Sequence, residues 1–187
     1  MRLFIGVDLP AEIKQALLEF QSELRLLGVN GSFKSQDNFH ITLEFLGELD
    51  DSKIPALTET LSRVASNYKP FDLNIVGLGA FPSFKRPHTL WTAVNGSLTD
   101  LNRLRDELHS ELKNKSFELE ERQFKPHVTL ASRPNFDSID ISAVQSAKLG
   151  EFSVKEVVLF ESRAIRGKRV YIDLFKARLE PLEPLEP

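Results

Sequence analysis

Apolar positions recur along the chain in two rhythms: short continuous or alternating runs that mark strands, and three- and four-residue spacings that mark helices. Residues 2–8 (RLFIGVD) form a short apolar run that ends at Asp8-Leu9-Pro10. Ile13, Ala16, Leu17, Phe20, Leu24 and Leu27 follow at helical spacing, and Gly28 stops that helix. A short strand is predicted at Phe33-Lys34 and a longer one over 39–47, closed by Gly47. Ile54, Leu57, Leu61 and Val64 mark a second helix. Segments 71–81 and 88–95 are rich in strand formers, and the Pro82 to Pro87 loop between them is expected at a boundary between lobes. Ser97 caps a third helix, whose stripe is Leu101, Leu104, Leu108 and Leu112. Strands are predicted at 124–131, 151–161 and 169–178, with a short helix over 138–147.

Within this pattern one tetrapeptide occurs twice, as His40-Ile41-Thr42-Leu43 and His127-Val128-Thr129-Leu130, in a chain with only 4 histidines. The two copies are 87 positions apart, and the same offset carries Leu3-Phe4 onto Leu90-Trp91, Val7 onto Val94 and Leu17 onto Leu104. A duplicated strand, helix and His-x-Thr strand is the economical reading. A pseudo-two-fold between the units would bring both histidines to one central cleft.

At 187 residues with 41% hydrophobic content, the chain suits one good core rather than two independent domains. One bilobal domain is expected over 1–179, followed by a disordered tail over 180–187, where prolines recur too densely for a fold. No run of about 18 apolar residues suggests a membrane span, and Asp8 and Pro10 come too early for a signal peptide. A cytoplasmic monomer with no membrane partner is the expectation. Cysteine is absent, which removes disulfides, thiolate ligands and a cysteine nucleophile. The formal charge of -3 argues against a broad polyanion-binding surface. Nucleic acid contact should therefore be local, at Lys85-Arg86, Lys125, Arg133 or the Arg166-Gly167-Lys168-Arg169 turn.

Strand alternation turns His40 and Thr42 to one face and Ile41 and Leu43 to the other, and it does the same for His127 and Thr129. Each copy thus offers an imidazole and a hydroxyl above an apolar anchor. Two imidazoles, with an ordinary pKa near ~6.5, supply a base and an acid near neutral pH. Hydroxyl donors from Thr42 and Thr129 suit the nonbridging oxygens of a phosphate, so a phosphodiester fits all four groups. Neither copy has a metal-ligand spacing such as His-x-His or His-Glu-x-x-His, and no metal is expected. Glu44 shares the His40 face by parity and is expected toward the rim, and His109 is expected to face solvent. Phe45 and Phe84 are placed to stack on a base.

These residues resemble the 2H phosphoesterase superfamily, and within it the RNA 2′,3′-cyclic phosphodiesterase family once called 2′-5′ RNA ligases. The likeness runs over about residues 1–178. It rests on Arg2-Leu3-Phe4-Ile5 with Asp8-Leu9-Pro10, on Asn38-Phe39-His40-Ile41-Thr42-Leu43 leading into Phe45-Leu46-Gly47-Glu48, on Phe124-Lys125-Pro126-His127-Val128-Thr129-Leu130-Ala131, and on Glu161-Ser162 with Gly167 and Tyr171. The resemblance implies an α+β fold of two pseudo-symmetric lobes, each a mainly antiparallel sheet flanked by helices, around a central cleft. It implies cofactor-free, metal-independent hydrolysis of an RNA 2′,3′-cyclic phosphate end to a 2′-phosphomonoester, with His40 as proton donor and His127 as proton acceptor. The family often carries arginine two residues after the second motif's leucine, where this chain has Ser132, with Arg133 one step later. Parity puts Arg133 on the His127 face as a phosphate contact. Two alternatives stay open: a 2′-5′ ligase joining cyclic-phosphate and 5′-hydroxyl ends, and a noncatalytic RNA-binding module.

Overall fold

Alternating apolar faces assemble nine strands into two antiparallel sheets in the computed structural model, which describes residues 1–180. One sheet has four strands, β1 (Arg2–Asp8), β3 (His40–Glu48), β8 (Glu156–Ile165) and β9 (Lys168–Arg178), in the order β3-β1-β8-β9. The other has five, β2 (Asn30–Phe33), β4 (Phe71–Phe81), β5 (Thr89–Gly96), β6 (His127–Asn135) and β7 (Lys148–Val154), in the order β2-β6-β5-β4-β7. Three helices pack on them: α1 (Ala11–Leu26), α2 (Ile54–Ala65) and α3 (Leu98–Asn114). The two-lobed α+β architecture with few helices is the one anticipated. Among the described residues no helix is long and apolar enough to cross a membrane.

The two halves of the chain do not each build their own lobe. After β1, in the four-stranded sheet, the chain sends α1 against β7 of the other sheet, where Gln21 Nε2 donates to the carbonyls of Leu130 and Lys34 at 3.0 and 2.9 Å. After β5, in the five-stranded sheet, α3 returns to pack on β3 and α2. Strand β4, from the first half, pairs with β5 in the second lobe, and β8, from the second half, pairs with β1 in the first. The Pro82 to Pro87 loop therefore closes a hairpin inside one sheet and does not separate lobes. The predicted strand 151–161 is two strands in different sheets, divided at exposed Lys155. An unbroken apolar run conceals that handover, because Val154 and Val157 are buried in successive sheets. No helix forms over 138–147, where the Ser142 N–H donates to Asp140 Oδ1 and turns follow. Of the predicted tail, Glu180 hydrogen-bonds Tyr68 O through its N–H at 2.8 Å, and 181–187 lie outside the described residues.

Both histidine strands carry the same bulge. Along β1 and β3 the partners are Asp8 with His40, Val7 with Ile41 and Gly6 with Thr42, then Ile5 with Glu44 and Phe4 with Phe45, leaving Leu43 unmatched. Along β5 and β6 they are Ala93 with His127, Thr92 with Val128 and Trp91 with Thr129, then Leu90 with Ala131 and Thr89 with Ser132, leaving Leu130 unmatched. The histidine strands are related by 87 positions, whereas their neighbours β1 and β5 are related by 85, as Asp8 and Ala93 show. Matching Leu3-Phe4 to Leu90-Trp91 is thus two residues out of register, a slip that preserves facing and so leaves the apolar pattern intact.

Gly6 sits opposite Thr42, and a Cβ there would lie 2.5 Å from the Ile41 carbonyl oxygen. Gly6→Ala is expected to force this ladder apart and to destabilise the protein by about 1–3 kcal/mol, read as a lower urea midpoint. A midpoint equal to the parent's would refute the close approach.

Candidate active site

Each motif histidine opens its strand and is held from behind by the backbone two residues earlier. The His40 Nδ1 lies 2.8 Å from the Asn38 carbonyl, which follows a short 3₁₀ turn at Gln36–Asn38. Its repeat mate His127 has Nδ1 at 2.6 Å from the Lys125 carbonyl. A carbonyl oxygen only accepts, so in both rings the hydrogen bond places a proton on Nδ1 and leaves the Nε2 lone pair available in the neutral form. Nε2 of His40 meets the Thr42 hydroxyl at 2.8 Å. At His127 Nε2 there is no hydrogen bond among the described residues.

His40, Thr42, His127 and Thr129 line one cleft of about 810 Å³ between the sheets. Beneath His40 the wall is aromatic: Phe4 lies 4.8 Å away between ring centroids, and Tyr171 meets the imidazole edge-on at 5.1 Å. Beneath His127 the equivalent wall is Phe81, edge-on at 5.0 Å, and Trp91 at 5.9 Å. Gly79 makes the latter possible, since any Cβ there would occupy the space of the Trp91 ring. Loss of water contact lowers the basicity of both rings. Burial pushes His40 down to about 4, against the opposing effects of its bond to Asn38 and the charge of Asp8, while nearby His127 and Lys14 depress it further. Burial also lowers His127, offset by its bond to Lys125.

The bulges redirect the side chains that follow Leu43 and Leu130. Glu44, on the His40 face by parity, is turned into the interior and is 4% exposed. There its Oε2 lies 2.8 Å from His109 Nδ1 and 3.6 Å from Arg105, and burial raises its pKa against those partners. His109 is accordingly not solvent-facing: it bridges Glu44 to Glu121, at 3.3 Å from Nε2. In β6 the equivalent bulge puts Ser132 into the cleft and removes Arg133 from its lining. Arg133 takes a left-handed φ of 48°, is exposed, and donates its N–H to His88 O at 2.8 Å. Phe45, the repeat mate of Ser132, lines the cleft and is 52% exposed, whereas Phe84 packs on Phe136 at 5.8 Å. Among the described residues no group of three or more His, Cys, Asp or Glu is arranged to hold a metal ion.

The chain is similar to known proteins in sequence and in fold. The family model described as LigT like phosphoesterase matches residues 7–91 and 95–171. The chain is 36% identical over 131 residues to a Thermotoga maritima protein named RNA 2′,3′-cyclic phosphodiesterase, covering 70% of this chain and 68% of that one. It is 33% identical over 178 residues to an Archaeoglobus fulgidus protein of the same name, covering 93% and 98%. The crystal structure of TT0787 from Thermus thermophilus superposes with a TM-score of 0.80 at 28% identity, covering 97% of this chain and 99% of that one.

The depressed His40 makes stability fall with acid. Above pH ~6.5 neither the folded nor the unfolded chain protonates this ring; between there and about 4 the unfolded chain gains the proton first. The expected loss over that window is roughly 3 kcal/mol, and His40→Gln should remove that share of the slope. Unfolding titrations at successive pH values test it, and equal slopes for parent and variant would contradict the burial.

Proposed function

The chain belongs to the LigT-like phosphoesterases, and from that premise we propose that it hydrolyses RNA 2′,3′-cyclic phosphate ends to 2′-phosphomonoesters without a metal, using His40 and His127 as acid and base. The observation that carries the reading is the matched pair of imidazoles, each with Nδ1 bonded to a carbonyl and both in one cleft. His127, whose Nε2 lone pair has no hydrogen bond among the described residues, accepts a proton from water as the water oxygen bonds to phosphorus. The bond from phosphorus to the 3′ oxygen breaks, and His40 Nε2 delivers a proton to that oxygen. Thr42 and Thr129 donate to the nonbridging oxygens.

Before phosphate binds, His40 is neutral at pH 7. The substrate's negative charge supplies what burial removes, because an anion beside the ring raises its pKa and recruits the proton that the leaving group takes. Acid and base are thereby distinguished only when the phosphate is bound. Arg133, away from the cleft, has no part in this scheme. We take residues 1–179 as one bilobal domain, supported by the exchange of strands between lobes, and the setting as a monomer in the cytoplasm acting on RNA.

An oligonucleotide ending in 2′,3′-cyclic phosphate should open to the 2′-phosphate with EDTA present, identified by phosphorus NMR. Loss of turnover on chelation removes the metal-free mechanism, and a lengthened strand with a 5′-hydroxyl acceptor would favour ligation. His40→Ala and His127→Ala should each lower kcat by about 10² to 10⁴ while the fold persists. Thr42→Val and Thr129→Val should lower it by roughly tenfold to a hundredfold. Near-parental rates in either histidine variant would exclude that residue from the chemistry.

A further inference from the structure

Strands β8 and β9 outrun the sheet they belong to. The last pairing of β1 with β8 is Leu3 with Glu161, yet β8 and β9 stay paired from Ser162 with Tyr171 to Ile165 with Lys168. Four residue pairs, about 13 Å of ribbon, therefore extend past the edge of β1. Arg166 and Gly167 close the ribbon with φ of 51° and 76°, the two positive values of a tight hairpin turn. Ile165 is 45% exposed at its end.

The ribbon has two chemically different faces. Directly paired residues share a face, so Ser162, Tyr171, Ala164 and Arg169 lie together, and Arg163, Val170, Ile165 and Lys168 lie on the reverse. The first face belongs to the cleft, whose lining includes Ser162, Tyr171 and Arg169. Small Ser162 and Ala164 leave that face open beside the Tyr171 ring. On the reverse, Arg163 is paired with Glu161 at 2.8 Å. Arg166, Lys168 and Arg169 have no ion pair among the described residues, in a chain whose net charge is -3. Arg2 lines the same end of the cleft and, with Arg169, opposes the rise that burial imposes on the Tyr171 hydroxyl.

Asn38 couples this arm to the chemistry. Its carbonyl holds His40 Nδ1 at 2.8 Å, while its side-chain amide donates to the Arg169 carbonyl at 3.1 Å. A 2′,3′-cyclic phosphate uses both oxygens at the end of the strand, so the rest of an RNA leaves the cleft only through the 5′ side of the terminal nucleotide. We propose that the cleft-side face of the β8–β9 arm binds the RNA backbone 5′ to the cyclic end, with Arg169 and then Arg166 taking upstream phosphates. This rests on the reading of the cleft as a cyclic-phosphate site. It makes the substrate a strand and not a mononucleotide: affinity grows with the nucleotides that reach the arm, and a chain of net negative charge gathers a polyanion at one place.

Hexauridylate ending in 2′-phosphate, compared with uridine 2′-monophosphate, tests the arm by binding alone and so needs no turnover. At low salt the oligonucleotide should bind roughly tenfold more tightly or better, with a steeper salt dependence. The Arg166→Ala/Arg169→Ala variant should lose most of that advantage and flatten the log–log salt slope by about 1.4, two contacts at about 0.7 each. Lys168→Ala, which removes one charge from the reverse face, should shift oligonucleotide affinity less than about twofold and the slope by less than the about 0.7 expected of Arg169→Ala alone. Arg169→Lys should retain part of the binding, separating lost charge from a lost fold. Equal affinity for the two ligands, equal losses from both faces, or an equal loss for the monophosphate and the oligonucleotide would each overturn the proposal. Failure of the parent to open any cyclic phosphate would count against the hydrolase reading and leave these binding ratios to judge the arm.

Discussion

An unmatched leucine in each histidine strand governs what the cleft receives. Leu43 and Leu130 have no partner in the neighbouring strand, yet both are buried, and burying such a side chain is worth about 1.5–3 kcal/mol. That gain pins the bulge, because sliding the strand by one residue would bring an apolar side chain to water and a polar one to the core. Ahead of the bulge the pleat presents imidazole and hydroxyl. Beyond it the facing reverses, so Phe45 and Ser132 enter the cleft while Glu44 and Ala131 go inward.

The consequence is electrostatic as well as geometric. Each imidazole stands on an aromatic wall that removes water from it, and neither lies beside the carboxylate that parity alone would bring to the first. Glu44 is instead held behind the strand, against His109 and Arg105. The site therefore keeps two neutral imidazoles facing an open space. Stability at low pH is reduced by this choice, since the rings are held in surroundings that resist their charging.

Much of this is legible in the amino-acid order. The duplicated His-x-Thr pattern places both histidines and both threonines in one cleft, because alternation over three residues is too short for a bulge to upset. The same parity fails at Glu44 and Arg133, which lie beyond the extra residue. A bulge leaves little trace in apolar patterning: Leu43-Glu44 and Leu130-Ala131 look like ordinary strand until their partners are known. His109 escapes sequence reading for a related reason, since its burial depends on a carboxylate 65 positions away. The sheet handover at Lys155 is hidden by continuous hydrophobicity, and the interlocking of the halves by the expectation that a repeated unit folds upon itself.

That interlocking bears on how such a molecule came to exist. A polypeptide holding one unit would lack a strand for its own sheet and carry one suited to another, so two copies would complete each other reciprocally. The present chain has the organisation of such a swapped homodimer joined end to end. Its two halves are not identical, for one histidine sits beside Tyr171 and the other beside Trp91, while the carbonyl that holds each ring at Nδ1 is placed alike in both.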